Sequence, residues 1–357
     1  MTQAQALPPT FVENYETEEP VLELARYMHI QGSKGSGEVD LSGGVIYQEC
    51  AAMLQSDPGA LFSKFLDFVS ANMTMPEKDL EGCFYCLSIL LRSLPGGVDE
   101  SVQKMSQALS GPGRPELQLK IMGNVYSLLD FAPASRYALF LAMLSFAAAN
   151  VGDDGTSLSK SMAGHAGSVE KWVAEWNCTP EQVIDVYQAA LKVLQQDASK
   201  QDEAMAFLLK VLQVAEGGGA GAIAKVSAEA KLAVVTAIKT PTTFKCDELL
   251  DLASVQALSS DADGAKLVAL LKIFVQEKVS AYLAFEKANA GFVEKMGLTS
   301  EICLDKMRLL SIVSLASEAE SSEIAYSLVA STLNISTAGE DPNDELPEVR
   351  LEGFSAV

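Results

Sequence analysis

The 357-residue chain is predicted to be all-α, an array of antiparallel helix pairs of the α-solenoid kind. Three observations carry this. Hydrophobic residues make up 48% of the chain, with Ala and Leu abundant and β-branched runs few, which favours helix. Apolar stripes at helical spacing recur from about residue 20 to 334, divided by short Gly, Pro or polar joints such as "PGG" at 95–97 and "GPGRP" at 111–115. No segment alternates apolar and polar residues as a half-buried strand would.

Residues 1–19 lack helical periodicity and read as a loose tail. Asp57 and Pro58 read as N-cap and first helical residue of a helix over 59–72. Further helices are predicted over 79–94, 98–110, 116–131 and 134–150. In "TPEQ" at 179–182, Thr179, Pro180 and Gln182 form a capping box that opens "VIDVYQAALKVL", apolar at 183, 186, 187, 190, 191 and 194. Helices over 200–215, 225–238, 264–287 and 300–316 follow, with "EGGGAG" at 216–221 and "SSDADG" at 259–264 as joints. Residues 337–357 are acidic, contain two prolines and are expected to be irregular.

A net charge of −21 repels phosphate backbones, so direct sequence-specific nucleic-acid binding is not expected, and a basic partner would be steered in. The longest apolar runs are too short for a bilayer and no secretory signal opens the chain, so a soluble intracellular protein with no membrane contact is expected.

No residue set promises catalysis, and no cofactor or metal is expected. Cys83 and Cys86 match C-x-x-C, but a zinc site needs a second pair and a redox pair an exposed helix start. Both lie in an apolar helical run and, like Cys50, Cys178, Cys246 and Cys303, read as free, mostly buried thiols. The alternative is a thiol-dependent enzyme using Cys83 and Cys86. His29 and His165, the two histidines, sit in Gly-containing stretches that read as surface loops. "GSKGSGE" at 32–38 and the glycine run after Glu216 lack the phosphate-loop pattern and read as flexible joints. Trp172 and Trp176, one turn apart, read as inter-helix core, the alternative being an exposed binding stripe. By spacing Lys306 and Arg308 read as a solvated polar edge beside Asp305, or as a basic spot for a partner.

Several stretches together resemble one family. "LLKIFVQEKVSAYLAFEKANAGFVEKMGL" (270–298) followed by "KMRLLSIVSLA" (306–316) is similar to the PCI domain of the subunit M family of eukaryotic translation initiation factor 3. "ELQLKIMGNVYSLLD" (116–130), "SRYALFLAMLSFAA" (135–148), "VEKWVAEWN" (169–177) and "FKCDELLDLASVQAL" (244–258) fit in the same order, and "GEVDLSGGVIYQEC" (37–50) less closely. The resemblance spans about residues 20–335.

It implies a right-handed array of PCI-type helical repeats ending in a winged helix, with no enzyme activity. It divides the chain into N-terminal repeats (20–215), the helical part of a PCI domain (222–320), the start of a winged helix (321–336) and the tail (337–357). It implies a scaffold subunit of the cytoplasmic initiation factor, partnered by the other subunits and through them by the small ribosomal subunit and messenger RNA. The same architecture serves the signalosome and the proteasome lid, which is the alternative. On this reading Leu304, Met307, Leu310 and Val313 face the core, and Lys306 and Arg308 match the family's "KMR" pattern. The winged helix is incomplete, which would leave Ile324, Leu328, Val329 and Leu333 on an uncovered apolar face, a candidate protein interface together with Lys306 and Arg308.

Overall fold

The computed structural model describes residues 20–32, 44–152, 155, 157–240, 246–318, 323–324, 326–333 and 349–350. Its contacts divide the chain into two units, Met1–Ala204 and Met205–Val357. The described residues are almost entirely helical, as the composition and periodicity predict.

The first unit contains α1 (Pro20–Gly32), α2 (Gly44–Ser56), α3 (Pro58–Ala71), α4 (Glu77–Leu91), α5 (Val98–Leu109), α6 (Pro115–Leu128), α7 (Pro133–Ala149), α8 (Ser159–Ala163), α9 (Val169–Glu175) and α10 (Pro180–Leu194). Local chemistry sets the starts. Asp57 Oδ1 accepts from the Ala60 amide at 3.0 Å, with Pro58 in the first turn. The Thr179–Gln182 capping box is present in both directions, at 2.9 and 3.4 Å.

The helices pack on others near them in the chain: α4 on α1, α3 and α6, and α7 on α5, α6, α8 and α10. Phe62, Phe65, Phe84, Leu87 and Leu90 are fully buried. Three polar contacts fix the stacking. The Tyr27 hydroxyl donates to Asp79 at 2.8 Å, which ties α1 to α4 and satisfies a buried carboxylate. Lys120 on α6 reaches Glu77 and Glu81 on α4 at 3.0 and 2.6 Å. Gln196 accepts from Ser157 and Ser159, each at 2.7 Å, and donates to the Ala148 carbonyl at 2.8 Å, pinning the α7–α8 connection to the end of α10.

The second unit holds α12 (Gly219–Lys225), α13 (Ser227–Lys239), α14 (Asp247–Leu250), α15 (Ala253–Gln256), α16 (Ala262–Gln276), α17 (Val279–Ala288), α18 (Phe292–Lys295), α19 (Ser300–Glu318) and α20 (Tyr326–Thr332); α11 (Gln201–Gly217) spans the boundary. Here α13 and α16 pack together, α16 on α17, and α19 on α13, α17 and α20. The Glu216 carboxylate accepts from the Ala253 and Ser254 amides at 3.0 and 3.1 Å and so caps α15.

Gly264 stands where only hydrogen fits. A Cβ there would lie 2.1 Å from the Leu258 carbonyl oxygen, because the first turn of α16 presses on the 3₁₀ turn Ala257–Ser260. The Gly264 amide also donates to Asp261 Oδ1 at 2.6 Å. Gly264→Ala is therefore expected to cost about 1–3 kcal/mol through overpacking against backbone, read as a lower urea midpoint.

Several expectations are corrected. The helix predicted over 264–287 is two helices, broken where Glu277 and Lys278 adopt extended backbone at φ −118° and −110°. The joint at 216–221 is partly helical, since α12 begins at Gly219, whose φ is +73°. His29 lies in the last turn of α1, and His165 between α8 and a 3₁₀ turn, neither in an open loop. Within residues 321–336, expected to start a winged helix, the helix begins at Tyr326, after strand β1 (Glu323–Ile324). Strand β2 (Val349–Arg350) pairs antiparallel with β1, so part of the tail read as irregular is a strand, too short to show alternation. The tail at 1–19 and the glycine stretch at 33–38 lie outside the described residues.

Candidate interaction surfaces

The region singled out by the sequence, α19 and α20, turns one face inward with a period near four. Cys303, Met307, Ser311 and Leu315 are buried, and Lys306 with them at 3% exposure. Met307 faces the core as expected. Val313 does not: it is 38% exposed, while Leu304 and Leu310 are intermediate. The buried stripe runs through 303, 307, 311 and 315, about one position round the helix from the expected one.

Lys306 is a second correction, since it is neither a solvated edge nor a basic spot on the surface. Its Nζ donates to the Ala237 carbonyl in the last turn of α13 and, at 2.6 Å, to that of Thr240, the residue just past it. A cation at a helix C-terminus meets the negative end of the helix dipole. Burial pushes its pKa down, against the pull of the neighbouring Cys246 and Cys303 thiols. Lys306 thus joins α19 to α13. Arg308 is half-exposed and lies 3.6 Å from Asp305, as the local charge pattern suggests.

Beyond it, Leu333 and Ala330 are buried against the rest of the unit, which corrects the expected exposure of Leu333. Leu328 is 49% exposed and Val329 is intermediate. The side chain of Ile324 lies outside the described residues. Leu309, Val313 and Leu328 are thus the large apolar side chains that α19 and α20 show to solvent among the described residues.

In the first unit, Trp176 is buried at 5% exposure and Trp172 is half-buried. Phe140 on α7 meets Trp172 edge-on at 5.2 Å and Trp176 at 5.4 Å, and Tyr126 on α6 lies 6.1 and 6.2 Å from the two indoles. His165 is exposed, its ring 5.8 Å from that of Trp172. The pair is the aromatic core of the α6–α7–α9 junction, which supports the packed reading over the exposed stripe.

Spacing did not reveal a groove of about 300 Å³ between α4 and α6. Phe84, Ser88, Ile121 and Val125 line it from the buried side of each helix, and Tyr85, Asn124, Ser127 and Leu128 stand at its margins. Its ends carry the Lys120–Glu81 pair and, past the last turns of both helices, Arg92 bound to Asp130 at 2.5 Å. The partly exposed stripe Glu81, Tyr85, Ile89 along α4 is the sequence signal that could have pointed to it, but the burial of the rest of that helix masks its periodicity.

The thiols are buried chemistry rather than a site. Cys83 and Cys86 are at most 1% exposed. Cys86 Sγ donates to the Pro20 carbonyl at 3.1 Å. Burial raises the pKa of Cys83 well above the ordinary 9.0 and that of Cys86 to about 12, so neither is a ready thiolate. Among the described residues no cluster of His, Cys, Asp and Glu could hold a metal ion, and no helix is long and apolar enough to cross a membrane. Cys83→Ala or Cys86→Ala is expected to cost about 1 kcal/mol of packing each. Assembly with partners should be unchanged, as read by thermal melting and pull-down.

The same burial sets an alkaline limit. Cys50, Cys178, Cys246 and Cys303 are also raised, Cys303 to about 11. A thiol whose pKa is higher in the folded state contributes stability that is whole below the unfolded value of 9.0 and is lost as pH climbs through the folded value. The lowered pKa of Lys306 acts oppositely, since its stability contribution grows as pH rises toward 10.5. Six thiols outweigh one amine, so the urea midpoint is expected to fall as pH rises above about 9.

The fold and surfaces define an all-α, helical-repeat protein with exposed apolar side chains on α19 and α20 and a groove between α4 and α6. No family model matches the chain. Within that class, it is similar along most of its length to proteins named eukaryotic translation initiation factor 3 subunit M. It is 26% identical to that of Xenopus laevis over 334 residues, which is 92% of this chain and 80% of the relative. The Homo sapiens protein is 26% identical with the same coverage, and that of Dictyostelium discoideum 26% identical over 77% of this chain and 67% of its own length.

Proposed function

We propose that the chain is a non-catalytic scaffold subunit of the cytoplasmic eukaryotic translation initiation factor 3 complex. In that role it helps hold together a factor that assembles the small ribosomal subunit with messenger RNA. The observation that carries this reading is the collinear similarity to subunit M relatives over 92% of the chain. The helical architecture is consistent with it, because stacked helix pairs offer long surfaces to neighbours.

The finer architecture belongs to the same proposal: PCI-type repeats of right-handed superhelix, followed by elements of a winged helix. The strand, helix and returning strand after α19 supply elements from which such a module is built. Arg308, Leu328 and Val329 are the accessible or half-accessible members of the candidate interface, with Leu309 and Val313 added beside them. The reading needs no cofactor, metal or bilayer.

The test is sedimentation of a tagged chain in extract of its own cells on a sucrose gradient. Migration with the initiation factor and in part with small ribosomal subunits is expected. Migration at the size of a free 38.0 kDa chain would contradict the proposal.

A further inference from the structure

We propose that α19 seats an α-helix of a neighbouring subunit, one that lays an apolar face along Leu309, Ile312 and Val313 and brings an Asp or Glu carboxylate to Arg308. The proposal rests on the reading of the chain as a scaffold subunit and names the chemistry of one partner. Helix geometry gathers the surface, because residues three and four apart lie on one face. Leu309, Ile312, Val313 and Ala316 therefore make one apolar strip, with Arg308 at its edge. Leu309 and Val313 are exposed, and Arg308, Ile312 and Ala316 are half-exposed. Cys303, Met307, Ser311 and Leu315 on the other side are buried, so the strip is the side that α19 turns away from its own unit.

Arg308 sets the charge of the partner. Among the described residues its ion pair is with Asp305, at 3.6 Å, which is beyond hydrogen-bond reach, and Asp305 is itself exposed. Its Nε is shielded from solvent and meets no acceptor among those residues. A guanidinium is a rigid fork that binds a carboxylate through two parallel hydrogen bonds, and arginines of this kind carry much of the energy of protein interfaces. A purely apolar cover would take water from Arg308 and leave its charge unpaired, which is unfavourable. A partner carboxylate at the edge of the cover removes that penalty. The partner segment is helical, because a straight row of side chains one turn apart fits the groove between the rows of another helix.

The test is Arg308→Lys in the assembled complex, purified from its own cells, treated with a water-soluble carbodiimide and mapped by mass spectrometry. The reagent joins an amine to a carboxylate already in ion-pair contact, and the displaced carboxylate oxygen leaves in the urea formed from the carbodiimide. The expected adduct links position 308 to an Asp or Glu of another initiation factor subunit that has apolar residues three and four positions from it. Adding Leu309→Asp, at an exposed position, should lower that adduct by about tenfold or more, as the loss of one interface anchor does. Should that variant lose helicity, Val313→Asp, also exposed, makes the same break. Adducts confined to Asp305, adducts to a second copy of this chain, adducts to a carboxylate without apolar neighbours, an adduct undiminished by the added Asp, or none at all would each overturn the proposal. If the other subunits still co-purify, such a result leaves the scaffold reading standing; their absence would overturn both.

Discussion

Trp176→Ala is expected to destabilise the first unit by about 3–5 kcal/mol, a loss visible as a large drop in melting temperature. The indole is buried among Tyr126, Tyr137 and Phe140, with ring centroids 5.4–6.4 Å away, and its removal leaves a cavity that three helices border. Edge-to-face contacts of this kind add to the burial energy. Trp172→Ala should cost less, because that ring is half-exposed and keeps some hydration in the folded state. Equal melting temperatures for wild type and Trp176→Ala would mean that the α6–α7–α9 junction is not packed as described.

Lys306→Ala is the second large effect, expected at about 2–5 kcal/mol. The substitution empties a buried volume and leaves the Ala237 and Thr240 carbonyls without their donor. Lys306→Met keeps most of the volume and also removes a buried charge, so it should recover part of the loss. Hydrogen exchange gives the local readout: amides near the C-terminus of α13 should lose protection in Lys306→Ala before those of α16. Were Lys306 a surface residue, both variants would be within about 0.5 kcal/mol of wild type.

The helices were legible because their signals are local. Asp57, Thr179 and the proline-led starts of α3, α6, α7 and α10 set boundaries that need no tertiary information. The split of 264–287 was not legible, since "VQEKVS" has no Gly or Pro and the break at Glu277 reflects the packing of α17 on α19 as well as α16. The two-residue strands are set by a pairing between residues far apart in the chain, Glu323 with Arg350 and Ile324 with Val349, which no short window records.

The candidate interface divides the same way. The spacing Cys303, Met307, Ser311, Leu315 was readable as a stripe, but a polar residue at 311 and a lysine at 306 hid its centre and pulled the expected face toward Val313. That a lysine could lie inside depended on two carbonyls at the end of α13, about 70 residues earlier in the chain, a partner that only the fold brings to it. The α4–α6 groove was equally hidden, because it is a space between two helices rather than a property of either.

The most direct test of the scaffold account is a tagged pull-down of the 357-residue chain from nuclease-treated extract of its own cells, with partners identified by mass spectrometry. The account predicts recovery of the other translation initiation factor 3 subunits in stable proportion. Recovery of signalosome or proteasome-lid subunits instead, or of no stable partner, would contradict it.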